Sequence, residues 1–218
     1  MLKIEALIDD LQSQNSSTLS AFSELLNQFV ATSLDLLNYS GQQDVSKCKL
    51  AGLIVFDCLL DINDDIRPER RFEIANHLCK ILENDKLPLS LNEIVLRTAS
   101  VSVGHFVRIA SRTEVDHFGG IAFQLALKLI ADQRSEQHRF AGALILSQLS
   151  SNAPAFMFIR RQTIFSVIWD LVCDKSAKVR DAAAEALEAG LQVVSQRETM
   201  EEYLQQALTQ IGQGFSAN

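Results

Sequence analysis

A tetrad made of a basic residue, any residue, alanine and a small residue recurs along this chain: Lys49-Leu50-Ala51-Gly52, Arg97-Thr98-Ala99-Ser100, Arg139-Phe140-Ala141-Gly142 and Arg180-Asp181-Ala182-Ala183. The basic positions lie 48, 42 and 41 residues apart. That interval is the length of a two-helix unit in a stacked helical array, and self-similarity at such a period constrains the fold more than any single residue does. The register continues beyond the tetrad, since Val55, Val103, Ile145 and Ala186 stand three residues past each small residue. A basic position followed by small and then apolar positions at this spacing marks one stripe of a 3.6-residue helix. Small side chains let a neighbouring helix approach, and the apolar ones fill the seam. A fifth tetrad, Arg108-Ile109-Ala110-Ser111, falls outside the period.

Composition agrees with an all-α reading. With 47% hydrophobic residues the chain has ample material for a core, while nine glycines and three prolines are too few for the frequent turns of an all-β fold. Pro68, Pro88 and Pro154 fall between the apolar-periodic segments, where a fixed φ and a missing amide can start a helix. Capping-box spacing is present at Ser90–Glu93, Thr113–Asp116 and Thr199–Glu202. Helices are expected at 1–13, 18–38, 47–62, 68–84, 91–110, 114–132, 135–151, 154–173, 176–195 and 199–213. They pair into units of 18–62, 68–110, 114–151 and 154–195, forming a single α-solenoid over 1–218. The helix at 199–213 has no partner. Its stripe of Leu204, Ala207, Leu208 and Ile211 either caps the stack or meets further repeats, in which case the chain is an N-terminal piece of a longer solenoid.

Asp132 and Arg139, and likewise Asp174 and Arg180, straddle the turn inside a unit, where an aspartate accepts turn amides and faces the next helix's basic residue. Asp44 and Lys49 make a third such pair, so stacking predicts a ladder. In the second unit Asp85 lies twelve residues before Arg97 and Pro88 intervenes, which predicts a longer turn without that rung.

The formal charge of −7 argues against a nucleic-acid partner, because phosphate binding needs concentrated lysine and arginine. Arg67, Arg70 and Arg71 are the densest basic group, and Asp61, Asp64, Asp65 and Glu69 neutralise them. Cys48, Cys58, Cys79 and Cys173 lack paired spacing and read as reduced core thiols in the cytosol. No segment reads as a secretory signal or a transmembrane span.

A kinase needs a glycine-rich phosphate loop, a paired lysine and Asp-Phe-Gly, and none is written here. His117-Phe118-Gly119-Gly120 comes nearest, but its glycines are better explained by close helix packing. Asp61-Ile62-Asn63-Asp64-Asp65 begins like a calcium loop, yet position six is Ile66 and position twelve is Phe72. His77, His105, His117 and His138 are scattered and form no zinc-hydrolase spacing. No catalytic residue, cofactor or metal is assigned. Trp169, Phe156, Met157 and Phe158 read as core rather than as a peptide anchor, whereas Arg160 and Arg161 directly after them predict an exposed cationic edge, the first place to seek a docked partner.

The segment Asp174-Lys175-Ser176-Ala177-Lys178-Val179-Arg180-Asp181-Ala182-Ala183-Ala184-Glu185-Ala186-Leu187 closely resembles a HEAT repeat, with Asp, then Val-Arg, then spaced alanines. Together with His138 to Leu146, Ala153 to Phe158, Val167 to Asp170, Ala186 to Leu191 and Ser195 to Glu198, it resembles the N-terminal HEAT region of the target of rapamycin (TOR) kinases, in the PI3-kinase-related family. Residues from Glu201 to Phe215 resemble the family's next helix, while Lys49 to Ile54 and Ala99 to Gly104 match earlier repeats more loosely. The resemblance implies a non-catalytic arm of a serine/threonine kinase whose catalytic domain lies far downstream. It also implies protein partners: a Raptor-like subunit, another TOR protomer or a Rheb-type GTPase, in the cytoplasm or at endomembranes through those partners. The alternative is a free-standing HEAT adaptor unconnected with kinase signalling.

Overall fold

A computed structural model of the chain describes residues 16–39, 45–60, 68–83 and 89–195, together with Thr209. Among these residues all regular structure is helical. Its elements are α1 (Ser16–Asn38), α2 (Val45–Leu60), α3 (Pro68–Leu82), α4 (Leu89–Ile109), α5 (Arg112–Glu114), a π-helical turn (Val115–Gly119), α6 (Gly120–Ala131), α7 (Glu136–Asn152), α8 (Pro154–Phe158), α9 (Arg161–Val172) and α10 (Ala177–Ser195). The segments 1–13 and 199–213, the acidic loop at 61–65 and the side chains of Arg67, Arg70 and Arg71 lie outside the described residues, Thr209 excepted.

The helices form two layers. Within hairpins α1 packs on α2, α3 on α4, α6 on α7 and α9 on α10, while α2, α4, α7 and α10 stack on one another in that order. This is the nearest-neighbour architecture of an α-solenoid.

Each tetrad lies on the second helix of its hairpin, and at Gly52 and Gly142 its fourth position faces the first. Gly52, Ser100, Gly142 and Ala183 are all buried. A Cβ on Gly142 would sit 2.6 Å from Ile130 Cγ1 and 2.9 Å from the Ala126 carbonyl, so α6 and α7 approach as closely as their backbones allow. At Gly52 the same test meets Leu37 and the Ser33 carbonyl at 3.0 Å. Ser33 adds a bond across this seam, its hydroxyl donating to the Gly52 carbonyl at 2.8 Å. The apolar positions that follow, Val103, Ile145 and Ala186, are fully buried, and Val55 is half-buried.

α7 is the central helix. Phe140, Leu144, Ile145, Leu146 and Leu149 point in several directions and are all buried, and Arg139, Ser147 and Ser150 are buried with them, so neighbouring helices cover it on most sides. Each fully buried leucine or isoleucine here contributes about 1.5–3 kcal/mol relative to exposure.

Three local features differ from the sequence expectation. The helix expected over 154–173 is broken at Ile159 and Arg160, for a reason given below. The capping box is Ser111 with Glu114, not Thr113 with Asp116: the Ser111 amide donates to Glu114 Oε2 at 2.8 Å, and the helix has already begun at Arg112. Cys173 is exposed in the turn after α9 and is not a core thiol; of the four cysteines Cys79 is buried and Cys48 and Cys58 are half-buried, and burial followed by the charge of Glu83 pushes the Cys79 thiol up to about 12.

Candidate functional site

Three of the tetrad bases close turns of the stack. Lys49 Nζ donates to the Leu37 carbonyl at 2.6 Å, Arg139 Nη1 to the carbonyls of Asp132 and Gln133 at 3.3 and 3.0 Å, and Arg180 Nη1 to those of Asp174 and Lys175 at 2.8 and 3.1 Å. Each base seals carbonyls left without helical partners where the preceding helix ends. Burial lowers the ammonium of Lys49 below its ordinary range.

The aspartates pair differently from the expected ladder. Arg139 binds the carboxylate of Asp174 in the next unit, Nε to Oδ2 at 2.6 Å and Nη2 to Oδ1 at 3.2 Å. It touches only the backbone of Asp132, and Arg180 touches only the backbone of Asp174. The pair is nearly dry, with side-chain exposures of 2% and 8%. Asp174 also accepts the Ser176 amide at 2.8 Å, and its carboxyl is held below the usual range, chiefly by the Arg139 hydrogen bond. Asp132 turns to His138, whose Nδ1 lies 2.7 Å from Oδ2, while Nε2 of the same ring lies 3.1 Å from the Glu83 carbonyl in the second unit. That hydrogen bond comes first among the causes holding the Asp132 carboxyl below its ordinary value. Asp44 lies outside the described residues.

Arg97 joins different units among the described residues. It reaches over the face of Phe140, 5.3 Å from the ring centroid, to Glu185 at 3.1 Å. Lys178 returns the link to Glu93 at 3.0 Å, so α4 and α10 are bridged across α7. Lys178 is the largest cause of the lowered Glu93 carboxyl. The i,i+4 pair Glu93 and Arg97 was visible in the sequence, but its long-range partners were not.

Arg160 and Arg161 stand where α8 breaks. Arg160 Nη1 donates to the Phe156 carbonyl at 2.9 Å with its guanidinium 3.6 Å from the Phe156 ring centroid, and Arg161 does the same to the Phe158 carbonyl at 3.1 Å and its ring at 4.5 Å. Two guanidiniums that cap carbonyls and lie on their own aromatic rings explain why the helix can end there. Both are half-buried, not the freely exposed edge expected, and Ile159 just before them is 77% exposed. Phe156 and Met157 are core, whereas Phe158 and Trp169 are half-buried. An open cleft of about 500 Å³ adjoins the Arg139–Asp174 pair, bordered by Trp169, Asp170, Cys173 and Lys175.

The chain is 29% identical to the serine/threonine-protein kinase TOR of Oryza sativa subsp. japonica over 82% of its own length and 7% of the relative's. It is 26% identical to the kinase tor1 of Schizosaccharomyces pombe over 87% of its length and 8% of that protein. For the TOR kinase of Arabidopsis thaliana the figures are 27%, 90% and 7%. The chain is related to a segment of the TOR kinases. It spans less than a tenth of the length of these relatives. No protein-family model matches, and no solved structure matches.

Within this TOR-related segment, the described residues contain no group of three or more metal-ligating side chains, and no described helix is long and apolar enough to cross a membrane. His105 bridges units, its Nδ1 lying 3.1 Å from Asp57 on α2. His77 faces the Glu73 carbonyl, and His117 meets Phe72 edge-on. The polar side chains converge on turns and on seams between units.

Proposed function

We propose that this chain is a non-catalytic interaction scaffold, equivalent to a HEAT arm near the N-terminus of a TOR-type serine/threonine kinase, that organises a TOR-type signalling complex. The observation that carries the reading is the similarity to several TOR kinases along most of this chain, which corresponds to only a small segment of each. The stacked architecture supports it, because a solenoid exposes a long surface for its mass and is built for contact. Function is argued from the relationship and the surface together, since the fold alone serves many roles. The partners expected on this reading are a Raptor-like subunit, a second TOR protomer or a Rheb-type GTPase. The setting is the cytoplasm, with endomembranes reached through those partners, and Arg160, Arg161 and the exposed Ile159 are the first surface to examine.

The test is affinity capture of the tagged chain from cells of its source, with quantitative recovery of TOR-complex subunits. Enrichment of TOR kinase or its Raptor-like subunit, reduced when Arg160 and Arg161 are both replaced by glutamate in a folded variant, is the expected result. Recovery of an unrelated set of partners without TOR subunits would favour a free-standing adaptor instead.

A further inference from the structure

The cleft beside the Arg139–Asp174 pair carries an inference that does not depend on the TOR-related reading. Its floor is already satisfied. Asp174 accepts from Arg139 through both oxygens and from the Ser176 amide, and Arg139 spends its remaining contacts on the carbonyls of Asp132 and Gln133. What the cleft leaves open are the half-buried indole of Trp169, the exposed carboxylate of Asp170 and the exposed ammonium of Lys175. Asp170 makes no ion pair with any described residue.

Three features set the sign of the ligand. An indole face attracts cations through its quadrupole, and a guanidinium stacks on it well. Asp170 supplies a full negative charge one residue away. Both residues occupy the last turn of α9, whose C-terminal end carries the negative pole of the helix dipole. Lys175 opposes this, but it stands on a flexible stem in the turn and already neighbours the Asp174 carboxylate. The net charge of −7 further favours approach of a basic group. We infer that this cleft is a docking site for an arginine or lysine side chain of a partner protein, stacked on Trp169 and paired with Asp170.

Trp169 is the sole tryptophan of the chain, so its emission reports occupancy directly. The experiment titrates the full chain with acetyl-Gly-Arg-Arg-Gly-amide, with its citrulline counterpart and with acetyl-Gly-Glu-Glu-Gly-amide. The expected result is a saturable change in emission with the arginine peptide that weakens on added salt, and at least about fivefold weaker binding of the citrulline peptide. Asp170→Asn should weaken the arginine peptide by about the same factor, while Asp116→Asn, on the exposed π turn, should not. Circular dichroism of each variant checks the fold. No emission change at millimolar arginine peptide, or equal binding by Asp170→Asn, would overturn the site. Preferential binding of the glutamate peptide would also overturn it, by giving the cleft to Lys175 and an anion.

Discussion

Asp174→Ala should be among the costliest single substitutions in the described chain outside the apolar core. The change removes a carboxylate with 8% side-chain exposure and leaves a guanidinium with 2% exposure facing the vacated space. Arg139 keeps its two turn carbonyls through Nη1, but Nε and Nη2 lose their acceptor. Breaking a buried pair by deleting one partner costs about 3–5 kcal/mol, because the surviving charge stays desolvated. Loss of the Ser176 amide's acceptor adds about 1 kcal/mol. For a chain of this size each kcal/mol shifts Tm by about 2–4 °C, so a fall of about 10 °C or more is expected. The companions are the single variant Arg139→Met and the double variant Arg139→Met with Asp174→Ala, which removes both charges. It should lose less stability than the two single variants summed, by more than about 1 kcal/mol, because neither charge is stranded. Urea unfolding followed by circular dichroism measures all four proteins, with m-values compared because a repeat array need not unfold in one step. The pH dependence supplies a second readout. The folded Asp174 carboxyl is depressed, so between that value and the unfolded carboxylate value of about 3.9 the unfolded chain binds more protons. The stability the pair contributes is therefore complete above that window and is lost as pH falls through it, a loss absent in Asp174→Ala. A single variant within about 1 kcal/mol of wild type, or strict additivity in the double, would refute the claim that this pair ties the third and fourth units together.

Gly142→Ala should destabilise by about 1–3 kcal/mol, since its Cβ would press on Ile130 and on the Ala126 carbonyl, whereas Gly120→Ala, with nothing within 4 Å, should stabilise by about 0.5–1 kcal/mol; denaturant midpoints separate the two. Lys49 titrates below its ordinary value when folded, so the unfolded chain binds more protons between that value and about 10.4, and wild-type stability should rise with pH there; Lys49→Met should flatten the rise in a pH series of thermal melts. Cys173 should react with a disulfide reagent in the native protein, while Cys79, its thiol held up to about 12 by burial, should label only on unfolding; timed alkylation with mass spectrometry reads the order.

The repeat was legible because it is a local property written several times over. A small residue at 52, 100, 142 and 183 must face a neighbouring helix whatever the stack does beyond it, and each is buried. The break at Ile159 and Arg160 was not legible, since the polar run from Arg160 to Thr163 reads equally well as a solvated helix face, and the ring and carbonyl contacts of the two arginines that favour the interruption are seen only in the folded chain. His138 illustrates the same limit. Its contact with Asp132 follows from short spacing, but the Glu83 carbonyl reaches it from another unit.

Periodicity along the chain was enough to determine an all-helical stack and the face each helix buries, because burial of a stripe depends only on spacing along one helix. Which aspartate meets which arginine was decided by the stack itself. Asp132 and Asp174 lie equally well placed in sequence for Arg139 and Arg180, yet Arg139 binds Asp174 across the unit boundary. A shift of a few ångströms between adjacent hairpins would exchange those partners, and that offset arises from the packing of whole helices, which no local pattern specifies.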